Sequence, residues 1–164
     1  MVLGIDPGTH RTGFAAVEER GGRPVAVEYG VITTAPGLAP GERLRRIYDR
    51  VRALVEGHRP SVAAVERLFL GANAPSAVSV GQARGVVLLA LAQAGVPVHE
   101  YTPSAVKTAI VGYGRADKAQ VQEMVRVLFR LDRVPRPDDA ADALAVAVCA
   151  LNHAASGRWG RVGR

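Results

Sequence analysis

Two short apolar runs in this chain end on a carboxylate, which constrains the sheet they can build. Val2-Leu3-Gly4-Ile5 closes on Asp6, inside Gly4-Ile5-Asp6-Pro7-Gly8-Thr9, and Val62-Ala63-Ala64-Val65 closes on Glu66. Runs this short and this apolar read as buried strands. A charge at the end of such a strand adds nothing to its stability, so two of them point to carboxylates gathered at one sheet edge. A third acidic site, Asp138-Asp139-Ala140-Ala141-Asp142, opens an otherwise Ala/Val/Leu segment. Asp139 and Asp142 are spaced i,i+3 and can face one direction from a helix. Asp138 and Asp142, at i,i+4, can do the same, and spacing does not choose between them. Capping by Asp138 and a dipole contact from Asp139 would explain two of these acids. Asp142 is left without such a reason. Hard oxygen donors suit Mg²⁺ or Mn²⁺. Two such ions about 4 Å apart activate a water and stabilise the leaving oxygen of a phosphodiester. The expectation is a metal-dependent nuclease.

The surrounding pattern predicts an α/β fold. Residues 2–6, 12–19 and 25–33 read as three strands, with Arg20-Gly21-Gly22-Arg23 as a hairpin turn. Pro36, Gly37, Pro40 and Gly41 mark a loop. Leu44, Ile47, Tyr48, Val51, Leu54 and Val55 then form one helical stripe, with Gly57 as the expected cap. After the strand at 62–66, residues 75–94 read as a helix whose only charge is Arg84. A helix apolar nearly all round is buried on more than one side; one side should face the sheet, the other a neighbouring helix or a second subunit. A strand at 96–100 follows, with Pro97 suited to a sheet edge. Thr102-Pro103 starts the next helix, Asp117-Lys118-Ala119-Gln120 resembles a capping box, and a last helix spans about 138–153. The sum is a mixed, five-stranded sheet with helices on both faces. Residues 1–153 form one domain, and 154–164 a basic, disordered tail.

Composition narrows the partner. The chain has 164 residues and a formal net charge of +6, with a sequence pI of about 10.2. That balance favours a polyanion such as nucleic acid, although a basic surface also serves solubility. No apolar run reaches the roughly 20 residues of a membrane span, and the N-terminus goes directly into a strand pattern rather than a signal peptide. The single Cys149 can form no internal disulfide; it suits a reducing cytoplasm and reads as a small buried hydrophobe. His10, His58, His99 and His153 show no metal-ligand spacing. Lys107 and Lys118 flank the Gly-rich stretch 112–117. Surface lysines are common, but at this place they could neutralise phosphate or transition-state charge. Phe69, between Leu68 and Leu70 in the loop after Glu66, is either a core residue or a wedge that stacks on a base.

Together, Gly4-Ile5-Asp6-Pro7-Gly8-Thr9, Ala64-Val65-Glu66, Gly81-Gln82-Ala83-Arg84-Gly85, Lys107-Thr108-Ala109-Ile110-Val111-Gly112 and Asp139-Ala140-Ala141-Asp142-Ala143-Leu144 resemble the RuvC family of bacterial Holliday-junction resolvases, over about residues 2–153. The resemblance implies a ribonuclease-H-like fold and a homodimer. It implies a crossover junction endodeoxyribonuclease of recombination and repair, cutting four-way DNA with two Mg²⁺ ions per subunit, Mn²⁺ being a substitute. It implies catalytic and metal-binding roles for Asp6, Glu66, Asp139 and Asp142, choosing Asp139 over Asp138. It implies DNA contacts by Lys107, Lys118 and Phe69, with Lys118 also catalytic, and a branch-migration complex of the RuvA–RuvB kind as partner. Gly4-Ile5-Asp6-Pro7-Gly8-Thr9 is also similar to the phosphate-binding hairpin of sugar kinases and actin-like ATPases. Those proteins need two such domains and a second Asp-x-Gly-Thr hairpin, which this sequence lacks. A relative acting on structured RNA is a further alternative.

Overall fold

A computed structural model describes residues 1–67 and 74–155. Strand β1 (Val2–Asp6) lies at the centre of a five-stranded sheet ordered β3-β2-β1-β4-β5. On one side, β2 (Arg11–Arg20) and β3 (Arg23–Thr33) continue it as an antiparallel meander. Gly21 and Gly22 turn that hairpin with φ of +60° and +76°, a conformation costly for other residues. On the other side, β4 (Val62–Glu66) and β5 (Val98–Tyr101) run parallel to β1. β5 begins after Pro97 rather than at 96 as expected. A proline has no N–H to give a ladder; the Pro97 carbonyl instead accepts from Ala63 N at 2.8 Å.

Helices α1 (Pro40–His58) and α2 (Ala74–Gln93) cover one face, and α3 (Pro103–Val111), α4 (Lys118–Leu128) and α5 (Asp138–Ala155) the other. The expected stripe of α1 is buried at Ile47, Val51, Leu54 and Val55. Its boundaries differ from expectation. Pro40 and Gly41, read as loop, form the first turn, where a proline loses no hydrogen bond. The helix passes Gly57 and is capped by Arg59, at φ 46°. The Thr102 cap on α3 and the Asp117–Gln120 capping box on α4 both form. α5 reaches Ala155, two residues into the segment assigned to the tail; residues 156–164 lie outside the described residues.

Side-chain alternation aims the acids. On β1, Leu3 and Ile5 pack against α1 and α2, whereas Val2 packs against α5. On β4, Ala63 and Val65 take the first side, Val62 and Ala64 the second. The period of two puts Asp6 and Glu66 on the α5 face, at the same ends of neighbouring parallel strands. α5 lies unusually close to that face. A Cβ on Gly4 would stand 2.2 Å from the Ala143 carbonyl oxygen, and one on Gly13 would stand 1.9 Å from that of Asp139. Only glycine allows this approach at either position.

Candidate active site

The first two acids are set by the sheet and the next two by α5. Ile5 pairs with Val65 across β1 and β4, so Asp6 and Glu66 follow side by side. Asp139 and Asp142 come from the first two turns of α5, pressed onto β2 and β1 at Gly13 and Gly4. Burial pushes the Asp6 carboxyl up to about 7, and the charges of Glu66, Asp142 and Asp139 add to the effect. Glu66 and Asp142 are also raised, chiefly by burial; Asp142 adds to the rise at Glu66, while Lys118 opposes it at both. Asp138 behaves differently. It pairs with Arg136 and lies 3.3 Å from Lys118, and its own carboxyl is lowered rather than raised: the effect of burial is outweighed by Lys118, Gln122 and Arg136 together.

Cations surround the group. Lys118 Nζ lies 3.3 Å from Asp142 and 3.3 Å from Asp138. Burial alone would lower its ammonium, but these carboxylates outweigh burial and raise it. Lys107 is near enough to Glu66 to stabilise its charge. Three arginines that sequence reasoning assigned no role complete the frame. Arg11 Nε reaches Asp139 at 3.4 Å. Asp6, Glu66, Arg67, Arg84 and Pro103 share the lining of one cleft. Arg84 pairs there with Glu100, which Arg67 approaches at 3.6 Å. Arg84 is marked in the sequence by its charge in an otherwise apolar helix and by its place in Gly81-Gln82-Ala83-Arg84-Gly85. Phe69 lies outside the described residues.

The chemistry of this set fits a hard divalent cation. Every acidic donor is a carboxylate oxygen, and the negative charge around Asp6 exceeds what Lys118 offsets. Among the described residues, no three acid, histidine or cysteine side chains converge tightly enough to grip a metal as they stand. Arg11 and Lys118 draw Asp139 and Asp142 towards themselves, so a bound cation would take over charge pairing that these side chains now supply. Cys149 is inert: it is buried, and burial raises its thiol to about 12.

The family model described as crossover junction endodeoxyribonuclease RuvC matches residues 2–150. This chain belongs to the RuvC family. The family member from Roseiflexus sp. (strain RS-1) is 57% identical over 147 residues, which are 90% of this chain and 88% of that protein. A Thermus thermophilus RuvC structure aligns with TM-score 0.85 at 40% identity, covering 95% of this chain and 96% of that one. T. thermophilus RuvC in complex with a Holliday junction substrate aligns with TM-score 0.90 at 39% identity, covering 95% of each chain. The RuvC fold, a mixed five-stranded sheet of ribonuclease-H type, is therefore the fold of this chain.

Proposed function

We propose that this RuvC-family chain is a structure-selective endonuclease that resolves four-way DNA junctions by paired, symmetric nicks. One observation supports the reading: Asp6 on β1 is raised to about 7 by burial and by the charges of Glu66 on β4 and of Asp142 and Asp139 on α5, in a chain of the crossover junction endodeoxyribonuclease family. Nucleases of this family depend on divalent metal. Asp6, Glu66, Asp139 and Asp142 are the residues that would hold it, and two Mg²⁺ ions per subunit match the number of donors. When bound, such ions polarise the scissile phosphodiester and lower the pKa of the attacking water.

The remaining work falls to side chains. Asp6, raised by burial and by the negative charge around it, would be favoured in its ionised form by a cation held at the site. Lys118, released from Asp142, faces the scissile phosphate and offsets the extra charge of the transition state. Lys107 binds the neighbouring backbone phosphate, and Phe69 stacks on a base near the branch point. Paired nicks require two sites related by a two-fold axis. The face of α2 that exposes Val78 (63%) and Leu89 (52%) is the surface we assign to a homodimer. Cytoplasmic location and a RuvA–RuvB motor as partner complete the reading. No described helix is long and apolar enough to cross a membrane.

Incubation with Mg²⁺ and a synthetic four-way junction, against linear duplex and structured RNA, tests the proposal. Symmetric nicks in the junction alone are expected. Preferential RNA cleavage would transfer the site to the RNA-acting alternative, and ATP hydrolysis without nicking would favour the actin-like one.

A further inference from the structure

The loop of residues 112–117, between α3 and α4, is tied to the site at both ends. At one end, Gly114 lies against the first turn of α3: a Cβ there would fall 2.5 Å from Ser104 Oγ. Ser104 follows Pro103, which lines the cleft with Asp6 and Glu66. At the other end, Lys118 begins α4 and holds Asp142. Tyr113 and Arg115 flank Gly114, and both are exposed, Tyr113 at 47%.

The exposed ring is anchored. Tyr113 donates its hydroxyl proton to Gln120 Oε1 at 3.1 Å, and the same oxygen accepts from Asp117 N at 3.0 Å. Asp117 Oδ1 in turn accepts from Gln120 N at 2.8 Å. The ring is thereby pinned to the helix start that carries Lys118, at its polar end only. Arg115 forms no ion pair among the described residues. An anchored aromatic surface beside an unpaired guanidinium is the combination that binds single strands: the ring accepts any base, and the cation neutralises the adjoining phosphate.

We propose that Tyr113 and Arg115 form a nucleotide ledge, on which a base of the strand being cut stacks against Tyr113 while Arg115 contacts that strand's next phosphate. The ledge rests on the junction-nuclease reading above and adds a strand contact on the α3–α4 side of the cleft. Near a branch point, bases are least constrained by stacking and pairing, so a ledge placed beside the acids would select such points over continuous duplex.

The test uses the full chain carrying Asp142→Asn, which blocks cutting, and four-way junctions with 2-aminopurine at successive positions around the cut. The parent should quench the probe at one or two positions. Tyr113→Ala should lose that quenching and weaken junction binding by about tenfold. Tyr113→Phe should keep both, since the ring remains. Arg115→Gln should keep the quenching and reduce the salt slope of binding by about one. Equal behaviour of Tyr113→Ala and the parent, in a protein that still prefers junctions to duplex, would overturn the ledge alone. A parent that binds junction and linear duplex equally would overturn the junction reading itself.

Discussion

At the scale of single residues, the site is a cluster of like charges held slightly apart by cations. Asp6→Asn or Asp142→Asn should reduce junction cleavage to background while leaving binding largely intact, because binding rests on basic residues. Asp138→Asn should change cleavage by about fivefold or less, the worth of an exposed ion pair; a gel assay of nicked product separates the two, and near-normal cutting by Asp142→Asn would refute its role. The same cluster makes stability depend on pH. Asp6 titrates near 7 in the folded chain against 3.8 as its ordinary value. Below about pH 4 the group is protonated in both states and costs nothing. Between about 4 and 7 the unfolded chain ionises while the folded one resists, so stability falls as pH rises; Glu66 and Asp142, also raised, act in the same direction. Melting curves in EDTA should therefore show Tm declining across this window. Added Mg²⁺ should raise Tm more at pH 8 than at pH 5, and equal gains would speak against carboxylate coordination. Lys118 and Phe69 should separate by mechanism. Lys118→Ala should slow cutting and flatten its salt response, while Phe69→Ala should weaken cutting with the salt slope unchanged; a large fall in Tm for Phe69→Ala would assign that ring to the core.

At the scale of elements, the strands were legible where the carboxylate interrupted an apolar run, and the caps where side chains bond their own helix. Thr102, Asp117 and Gln120 act within three residues, so their pattern survives in sequence. What did not survive was pairing across distance. Arg11 with Asp139 and Arg84 with Glu100 join residues with no periodic relation, and nothing local marks an arginine for one partner. The start of α1 was misplaced because Pro40 and Gly41 carry loop statistics, although a proline in a first turn costs little. Exposed Val78 and Leu89 bear directly on α2. Val78→Asp combined with Leu89→Glu should yield a folded monomer by sedimentation with paired nicking lost. A monomeric parent at micromolar concentration with full activity would dismiss the dimer.

At the scale of the whole molecule, the spacing of the acids depends on how closely one helix lies on the sheet. Gly4→Ala or Gly13→Ala would drive a Cβ into the backbone of α5. Each should cost about 1–3 kcal/mol, in the range of an overpacked core, and cleavage should fall further than the loss of folded protein explains. Gly57→Ala is the control: a Cβ there meets nothing within 4 Å. It should leave cleavage unchanged and stabilise α1 by about 0.5–1 kcal/mol. Comparison of urea midpoints with single-turnover rates would distinguish a displaced helix from a merely weakened fold. The mixed topology itself could be read from strand and helix order, but this contact could not, because the glycines look in sequence like any others.

The acids are drawn from β1, β4 and α5, which are far apart in sequence, at residues 6, 66 and 139–142. α5 also supplies the row of buried, mostly small apolar residues from Ala143 to Ala150 that closes one face of the sheet. A nascent chain still lacking α5 has neither the second pair of acids nor a covered sheet on which the first pair could be held. The same is true of any proteolytic fragment cut between β4 and α5. Assembly of the acidic cluster is thus coupled to the docking of one helix: the parallel strands can set Asp6 beside Glu66, but Asp139 and Asp142 join them only when α5 lies on the sheet.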